Sequence, residues 1–309
     1  MHSAHDIAAI LELPTPTAEQ LSIIEAPAEG AARVIAGAGS GKTETMALRV
    51  LWLVANNHVE PDAVLGLTFT RKAAGELSGR IQRRLRALHE RGLAPGTDEF
   101  HTPSVSTYNS FAAGLYRDHA VLLGRDPDAR VLSEASAWSL ATSVVSNSTL
   151  PELSSWDITV PTLVRTVRTL GSRLQENSVP VGDMEAFVEE FRGLVELPNG
   201  GPGAYKTVEE WVDRIGSLTV LMTLVEEFQE AKRLRGVLEF SDQIALALQI
   251  VEGFPHVCEQ VRARHRVVLL DEYQDTSVAQ TTLLKTLFSA HPVMAVGDPH
   301  QAIYGWRGA

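Results

Sequence analysis

The chain has 309 residues, 44% of them hydrophobic, and a formal net charge of −11. That is enough length for two domains, or for one large α/β domain carrying an insertion, and the composition calls for a packed core. The single cysteine, Cys258, excludes an intrachain disulfide and cannot by itself make a zinc site, which suits a reducing compartment. Met1 to Pro14 has no basic region ahead of an apolar block, and no apolar run approaches the ~20 residues of a membrane helix, so the expectation is a cytoplasmic protein with no membrane partner.

In chain order, Thr15 to Ala26 opens a helix: Thr17 can cap it and Gln20, three residues on, completes a capping box before Leu21, Ile23 and Ile24. Ala32 to Ala36 is a first strand. It runs into Val34-Ile35-Ala36-Gly37-Ala38-Gly39-Ser40-Gly41-Lys42-Thr43, a glycine-rich turn opening a helix that carries Met46, Val50, Leu51 and Val54. Gly37, Gly39 and Gly41 allow successive N–H groups to point into one concavity at a helix N-terminus, where the macrodipole favours anions. Lys42 can then reach the β- and γ-phosphates of a nucleotide and the Thr43 hydroxyl can hold Mg²⁺. The usual pattern opens with Gly, and here that place is Ala36.

Val64 to Phe69 is a second strand, ending in Thr68-Phe69-Thr70-Arg71-Lys72. The helix after it lines up Leu77, Ile81, Leu85 and Leu88, with Arg80, Arg83, Arg84 and Arg86 on the rest of its circumference. This basic strip on an acidic protein is compatible with nucleic acid, and equally with a solvated helix face. Gly92 to Pro103 is a loop, and Val105 to Phe111 a third strand running into a helix. From about His119 the character changes. Leu140 to Leu234 is helix-rich, broken at Pro151, Pro161, Pro180 and the turn Asn199 to Gly203, and reads as an all-helical insertion. The α/β pattern resumes at Phe240, with strands Arg266–Leu270, ending in Asp271-Glu272, and Val293–Val296, ending in Gly297-Asp298. Apolar strands alternating with helices predict a parallel sheet with helices on both faces and a ligand site at the carboxyl ends of the strands. There Asp271 can hold Mg²⁺ through water, and Glu272 can orient and deprotonate an attacking water.

Together these segments resemble the ordered motifs of superfamily 1 DNA helicases of the UvrD, PcrA and Rep branch. The resemblance rests on Ala36 to Thr43, Thr68 to Ala74, Asp271-Glu272-Tyr273-Gln274-Asp275-Thr276 and Gly297 to Ala309. It implies a RecA-like P-loop NTPase domain split as 1–118 and 237–309, with a helical subdomain at 119–236. It implies ATP and Mg²⁺ as cofactors and ATP-dependent 3′ to 5′ translocation on single-stranded DNA in repair or recombination. Lys42, Glu272 and Gln301 would be catalytic, Gln301 sensing the γ-phosphate, with Thr43 and Asp271 at the metal. Gln20, Ala38, Gly39, Ser40, Gly41, Lys42, Thr43 and Glu44 would surround ATP, Gln20 at the adenine edge. Phe69, Thr70, Arg71, Thr107, Tyr108, Tyr304 and Trp306 would contact DNA, and Gln274, Asp275 and Arg307 would couple the two sites.

Two positions depart from the family pattern. Thr107-Tyr108-Asn109-Ser110 replaces Thr-Phe-His-Ser, and Glu44 stands where an arginine commonly flanks the adenine. The run Gly41 to Met46 is closer to the AdnB-type subunits of helicase–nucleases, implying DNA junctions or ends as substrates and a partner subunit. In the family a second RecA-like domain follows, carrying an arginine finger, so the expectation is an amino-terminal part of a longer helicase. The alternative is a nucleotide- and DNA-binding module with negligible turnover of its own. A small-molecule kinase would not need the segment from Gln301 to Arg307.

Overall fold

The apolar runs that precede glycine or acidic turns form strands in the computed structural model, which describes residues 1–94, 101–197 and 205–305. The expected turn at Asn199 to Gly203 and part of the Gly92 to Pro103 loop lie outside the described residues. The helices are α1 (Ala4–Ile10), α2 (Ala18–Ile24), α3 (Lys42–Ala55), α4 (Arg71–His89), α5 (Tyr108–His119), α6 (Glu134–Asn147), α7 (Val160–Glu176), α8 (Val181–Arg192), α9 (Lys206–Gly216), α10 (Leu218–Leu234), α11 (Phe240–Gly253), α12 (Pro255–Arg264) and α13 (Val278–Phe288). The strands are β1 (Ala31–Ile35), β2 (Val64–Thr68), β3 (Ser104–Thr107), β4 (Arg130–Val131), β5 (Val237–Leu238), β6 (Val267–Leu270) and β7 (Val293–Gly297). The chain divides into two compact units, Met1–Leu115 with Ala247–Ala309, and Tyr116–Leu246.

The first unit is built on a five-stranded, wholly parallel sheet in the order β1-β7-β6-β2-β3. Every residue of β2 and β6 is buried, which is why both read as unbroken apolar runs. β1 is an edge strand and stays largely exposed, Ile35 at 57%. The register sets Ile35 opposite Gly297, Leu270 opposite Leu67 and Thr68 opposite Thr107, so the carboxyl ends of all the strands meet along one rim. α3 is buried from Thr45 through Ala55, packed by α1, α2 and α4, and accordingly is apolar nearly all round. α4 instead turns one stripe inward, Ala74, Leu77, Ile81, Leu85 and Leu88, and keeps most of its arginines outside. Among the described residues no helix is long and apolar enough to cross a membrane.

The second unit packs α6, α7 and α10 around Leu140, Val164, Val167, Leu224, Val225 and Phe228. At Gly171 a Cβ would stand 3.3 Å from the Val225 side chain, so the glycine sets the close approach of α7 to α10. The unit is not purely helical: β4 and β5 pair in parallel, extended by the Leu132 N–H donating to the Leu238 carbonyl at 2.7 Å. Two-residue strands carry no periodicity that a sequence could show. The unit runs from residue 116 to 246, against the 119–236 expected.

Candidate functional site

The turn after β1 takes its shape from glycine. Gly39 and Gly41 have φ of 75° and 80°, and Gly41 is the residue that caps α3. Ser40 closes the loop on itself, its hydroxyl donating to the Gly37 carbonyl at 2.8 Å, and the Lys42 ammonium lies 3.4 Å from the same oxygen. That contact is long and takes one of three N–H groups, so the ammonium keeps donors for an anion. Ala38, Gly39 and Ser40 are exposed, and Thr43 is half-buried on the first turn of α3.

Gln20 reaches the loop from α2. Its Oε1 accepts from the Thr17 N–H in the capping box, while its Nε2 donates to the Ser40 carbonyl at 3.0 Å. A Cβ on Gly41 would stand 2.9 Å from that Nε2, so the glycine also admits the Gln20 amide. One N–H and one lone pair of the amide remain, the pair that a purine edge with one donor and one acceptor complements. Beside it opens a cavity of about 270 Å³ lined by Gln20, Ile23, Ile35, Lys42, Met46 and Met294, among others. Glu44 lies outside that lining. Its carboxylate is drawn to two arginines of α4, 3.0 Å from Arg80 and 2.6 Å from Arg84.

At the end of β6, Asp271 is 4% exposed. Burial, with Glu272 beside it, pushes its carboxyl up to about 6, although the Glu272 N–H, Lys42 and the Thr68 hydroxyl pull the other way. Glu272 has φ of 49°, a left-handed conformation that costs a non-glycine residue ~1–3 kcal/mol and that concentrates at functional sites. Gln274 sits in the helical turn Tyr273–Asp275 and links the ends of two strands. Its Nε2 donates to Glu272 Oε2 at 2.8 Å, and its Oε1 accepts from the Asp298 N–H at 3.0 Å. The contact demands glycine at 297, where a Cβ would lie 2.3 Å from the Gln274 Oε1. Asp298 in turn takes the Gln301 amide at 2.5 Å, and both face Gly37 of the loop. The His300 N–H and the Gln301 amide hold the Asp298 carboxyl below its usual range. A second link leaves the same turn, where Asp275 accepts from the Ile303 N–H at 3.2 Å, next to Tyr304.

The residues expected at DNA divide. Phe69 and Tyr304 are both half-buried and stack on each other, centroids 4.7 Å apart and planes at 26°. Thr70 is exposed and caps α4 by accepting from the Ala73 N–H, and Arg71 is exposed beside it. Thr107 and Tyr108 are buried. Thr107 is 7% exposed and donates to the Ser110 hydroxyl at 2.8 Å. Tyr108 is 4% exposed, and its hydroxyl donates to the Asp271 carbonyl at 2.8 Å. Both are bonded inside the unit and support the rim from below. Trp306 and Arg307 lie outside the described residues.

The oxygen donors of Thr43 and Asp271 suit Mg²⁺. That ion is held by one or two carboxylates together with substrate phosphates and waters, and a buried carboxylate whose pKa is raised gains from a nearby cation. A dedicated cage is not needed for such an ion, and among the described residues no group of three or more His, Cys, Asp or Glu could form one.

One residue of this site has no role of its own in the sequence: Asp298 reads there as the end of a strand and as part of the motif Gly297 to Ala309.

The chain is 27% identical over 282 residues to "ATP-dependent DNA helicase PcrA" of Staphylococcus aureus (strain Mu50 / ATCC 700699), covering 91% of this chain and 33% of that protein. It is 28% identical over 282 residues to the protein of the same name from Bacillus subtilis (strain 168), covering 91% and 32%. Against "DNA helicase II" of Haemophilus influenzae the identity is 27% over 277 residues, covering 89% and 33%. The chain therefore spans about a third of the length of these relatives. A family model described as UvrD/REP helicase N-terminal domain matches residues 17–309, and the chain belongs to that family.

Proposed function

We propose that this chain is the ATP-binding, amino-terminal motor part of a DNA helicase or translocase that moves 3′ to 5′ on single-stranded DNA, in the cytoplasm, in repair or recombination. The observation that carries this reading is the hydrogen-bonded chain from Glu272 through Gln274 and Asp298 to Gln301, which faces the phosphate loop at Gly37. Its side branch leads from Asp275 to Ile303, beside the Tyr304 and Phe69 rings. In this reading Gln20 and the apolar cavity receive the adenine, and the loop N–H groups and Lys42 take the phosphates. Glu272 is the base that orients and deprotonates water, held in place by the Gln274 amide. Gln301 senses the γ-phosphate, and any shift it makes is handed through Asp298 and Gln274 to Asp275 and the aromatic pair. Thr43 and Asp271 would hold Mg²⁺, which when bound neutralises charge on the β- and γ-phosphates. Phe69, Thr70, Arg71, Tyr304 and Trp306 would meet the strand, base stacking on aromatic rings being tolerant of sequence. Arg307 would lie between the two sites.

A second reading is favoured by the charge at the site. Lys42 is the cation that acts on both Asp271 and Asp298, and the family's arginine finger belongs to a second RecA-like domain. Such a finger is worth ~10³–10⁵ in rate. On this account the chain alone binds nucleotide and DNA with little turnover, and it completes its site only with that second domain. A partner helicase–nuclease subunit and substrates with DNA junctions or ends belong to the same account.

The test is steady-state ATP hydrolysis by the chain with and without single-stranded DNA, beside binding of a labelled ATP analogue. Binding without DNA-stimulated turnover supports the half-motor form. Robust stimulated turnover means that the chain completes its own site, and no analogue binding at all removes the nucleotide reading.

A further inference from the structure

α2 is short, and only its amino end touches the phosphate loop, through Gln20. Seven residues cannot hold a helix in place by their own hydrogen bonds, so whatever fixes the other end fixes the reach of Gln20. The carboxyl end of α2 is held by Arg49, which rises from the middle of α3 and is 4% exposed. Its Nη1 donates to the carbonyls of Ile23 at 2.9 Å, Ile24 at 3.1 Å and Ala26 at 2.9 Å, and its Nη2 to that of Pro27 at 3.2 Å. All these partners are carbonyl oxygens. The guanidinium thus sits at the negative end of the helix and satisfies acceptors that the last turn leaves open. Lysine could not do this, because a point charge lacks the planar fork that reaches several carbonyls at once. Burial lowers the pKa of Arg49, and its Nε is buried without a partner, so the residue sits there at a cost in desolvation.

We infer that Arg49 is a positioning residue for nucleotide recognition: it clamps α2 to α3, the helix of the phosphate loop, so that Gln20 is presented to the base at a fixed distance from the phosphates. The inference rests on the proposed nucleotide site. It gives the chain a two-point gauge. α3 carries the phosphate loop at its first residue and the clamp at Arg49 two turns later. α2 spans between them, with Gln20 on the loop and Ile23, which also lines the base cavity, at the clamp. Base and phosphates are therefore read from one rigid pair of helices. A second tie holds the same end of α2, since Glu25 accepts from the Ala4 N–H at 2.6 Å, so losing the clamp loosens α2 without releasing it.

The experiment uses the full chain with Arg49→Lys, with Arg49→Gln, which keeps two N–H donors without the buried charge, and with Gln20→Ala. Amide exchange is followed in α2 and α4, and binding of ATP is compared with that of inorganic tripolyphosphate, which has no base. With Arg49→Lys, exchange in α2 rises about tenfold while α4 is unchanged, and ATP affinity falls about tenfold while tripolyphosphate affinity stays within about twofold. Adding Gln20→Ala to Arg49→Lys weakens ATP binding no further. Arg49→Gln behaves in the same way and decides the matter if the lysine variant does not fold. A purely structural role would lower both affinities together, and that result, or unchanged α2 protection, overturns the inference. If the wild-type chain binds neither ligand, the nucleotide reading has failed, and α2 exchange alone then decides whether Arg49 clamps the helix.

Discussion

Each compact unit has a lysine among carboxylates, and the two clusters are finished differently. In the helical unit Lys232 is 1% exposed and donates to Asp242 Oδ1 at 2.8 Å, Asp242 Oδ2 at 2.7 Å and Glu239 Oε2 at 3.0 Å. Asp242 also accepts from the Gln175 amide and the Glu239 N–H, both at 2.6 Å, so the donors of the ammonium and both oxygens of the carboxylate are used. In the α/β unit Lys42 has one long contact to a carbonyl, and Asp271 is buried with a like charge beside it. The first cluster is closed and holds α10 to the start of α11. The second keeps donors on Lys42 and a raised carboxyl on Asp271, which is what the proposed nucleotide site requires. Burial alone does not separate structural from functional charge; the unfilled donors and the raised carboxyl do.

The sharpest way to break that contrast is to open the closed cluster. Lys232→Met leaves Asp242 buried without its cation, and the helical unit should lose about 3–5 kcal/mol in chemical denaturation. Lys232→Met combined with Asp242→Leu should recover much of that loss, because no uncompensated charge is left. Equal losses in the single and double variants would mean that the lysine acts through packing on the Phe228 ring, 4.9 Å from its ammonium, and not through charge.

A buried group in the α/β unit gives a pH signature of its own. His265 is 6% exposed, and burial, aided by Arg264 and His291, lowers its pKa from 6.5 to about 4. The folded state therefore binds fewer protons than the unfolded chain between those values, so the neutral histidine's contribution is complete above about 6.5 and is lost as pH falls towards about 4. Asp271, raised to about 6, titrates with the opposite sign over nearly the same window, so the loss of up to about 3 kcal/mol should appear as the difference between wild type and His265→Asn in denaturation at stepped pH. Parallel profiles for the two proteins would assign no part of the pH dependence to His265.

The open cluster predicts the opposite pattern for Lys42→Ala. Nucleotide affinity should fall by about 10–100-fold, the worth of a charge-assisted contact to phosphate. The denaturation midpoint should stay within about 0.5 kcal/mol of wild type, because the glycines and not the lysine shape the loop. Unchanged affinity in isothermal titration would remove the phosphate-loop assignment.

What was legible in the sequence followed from local chemistry. The glycines at 39 and 41, the capping box at Thr17 and Gln20, and the apolar strands ending in Asp271 and Gly297 each carry their reason within a few residues. The stripe from Leu77 to Leu88 named the buried side of α4 in the same way. What was missed depends on contacts far apart in the chain. Glu44 turns to arginines 36 and 40 positions later, Tyr108 is buried by a bond to residue 271, and Arg49 bonds carbonyls more than twenty positions earlier. No window of sequence contains both partners of such a contact. An arginine inside an apolar helix or a glutamate near a basic helix can announce only that a partner exists.

Gly297 and Gln274 offer the finest test of how the open site keeps its shape. Their contact is sequence-distant and depends on the absence of one methyl group. Gly297→Ala would bring a Cβ to 2.3 Å from the Gln274 Oε1, and to 3.2 and 3.3 Å from the backbone nitrogens of Gln274 and Tyr273. The amide end can swing away, whereas the backbone cannot, so most of the strain is relieved by breaking the link from Glu272 to Asp298. The expected cost is about 1–2 kcal/mol in denaturation. Gln274→Ala removes the same link without the clash, and in that background Gly297→Ala meets only the milder backbone contacts. The double variant should therefore be more stable than the sum of the singles predicts, with a coupling of about 1 kcal/mol. Additive losses would mean that the methyl is resisted by the backbone alone. The route from Glu272 to Gln301 would then have another support than the amide of Gln274.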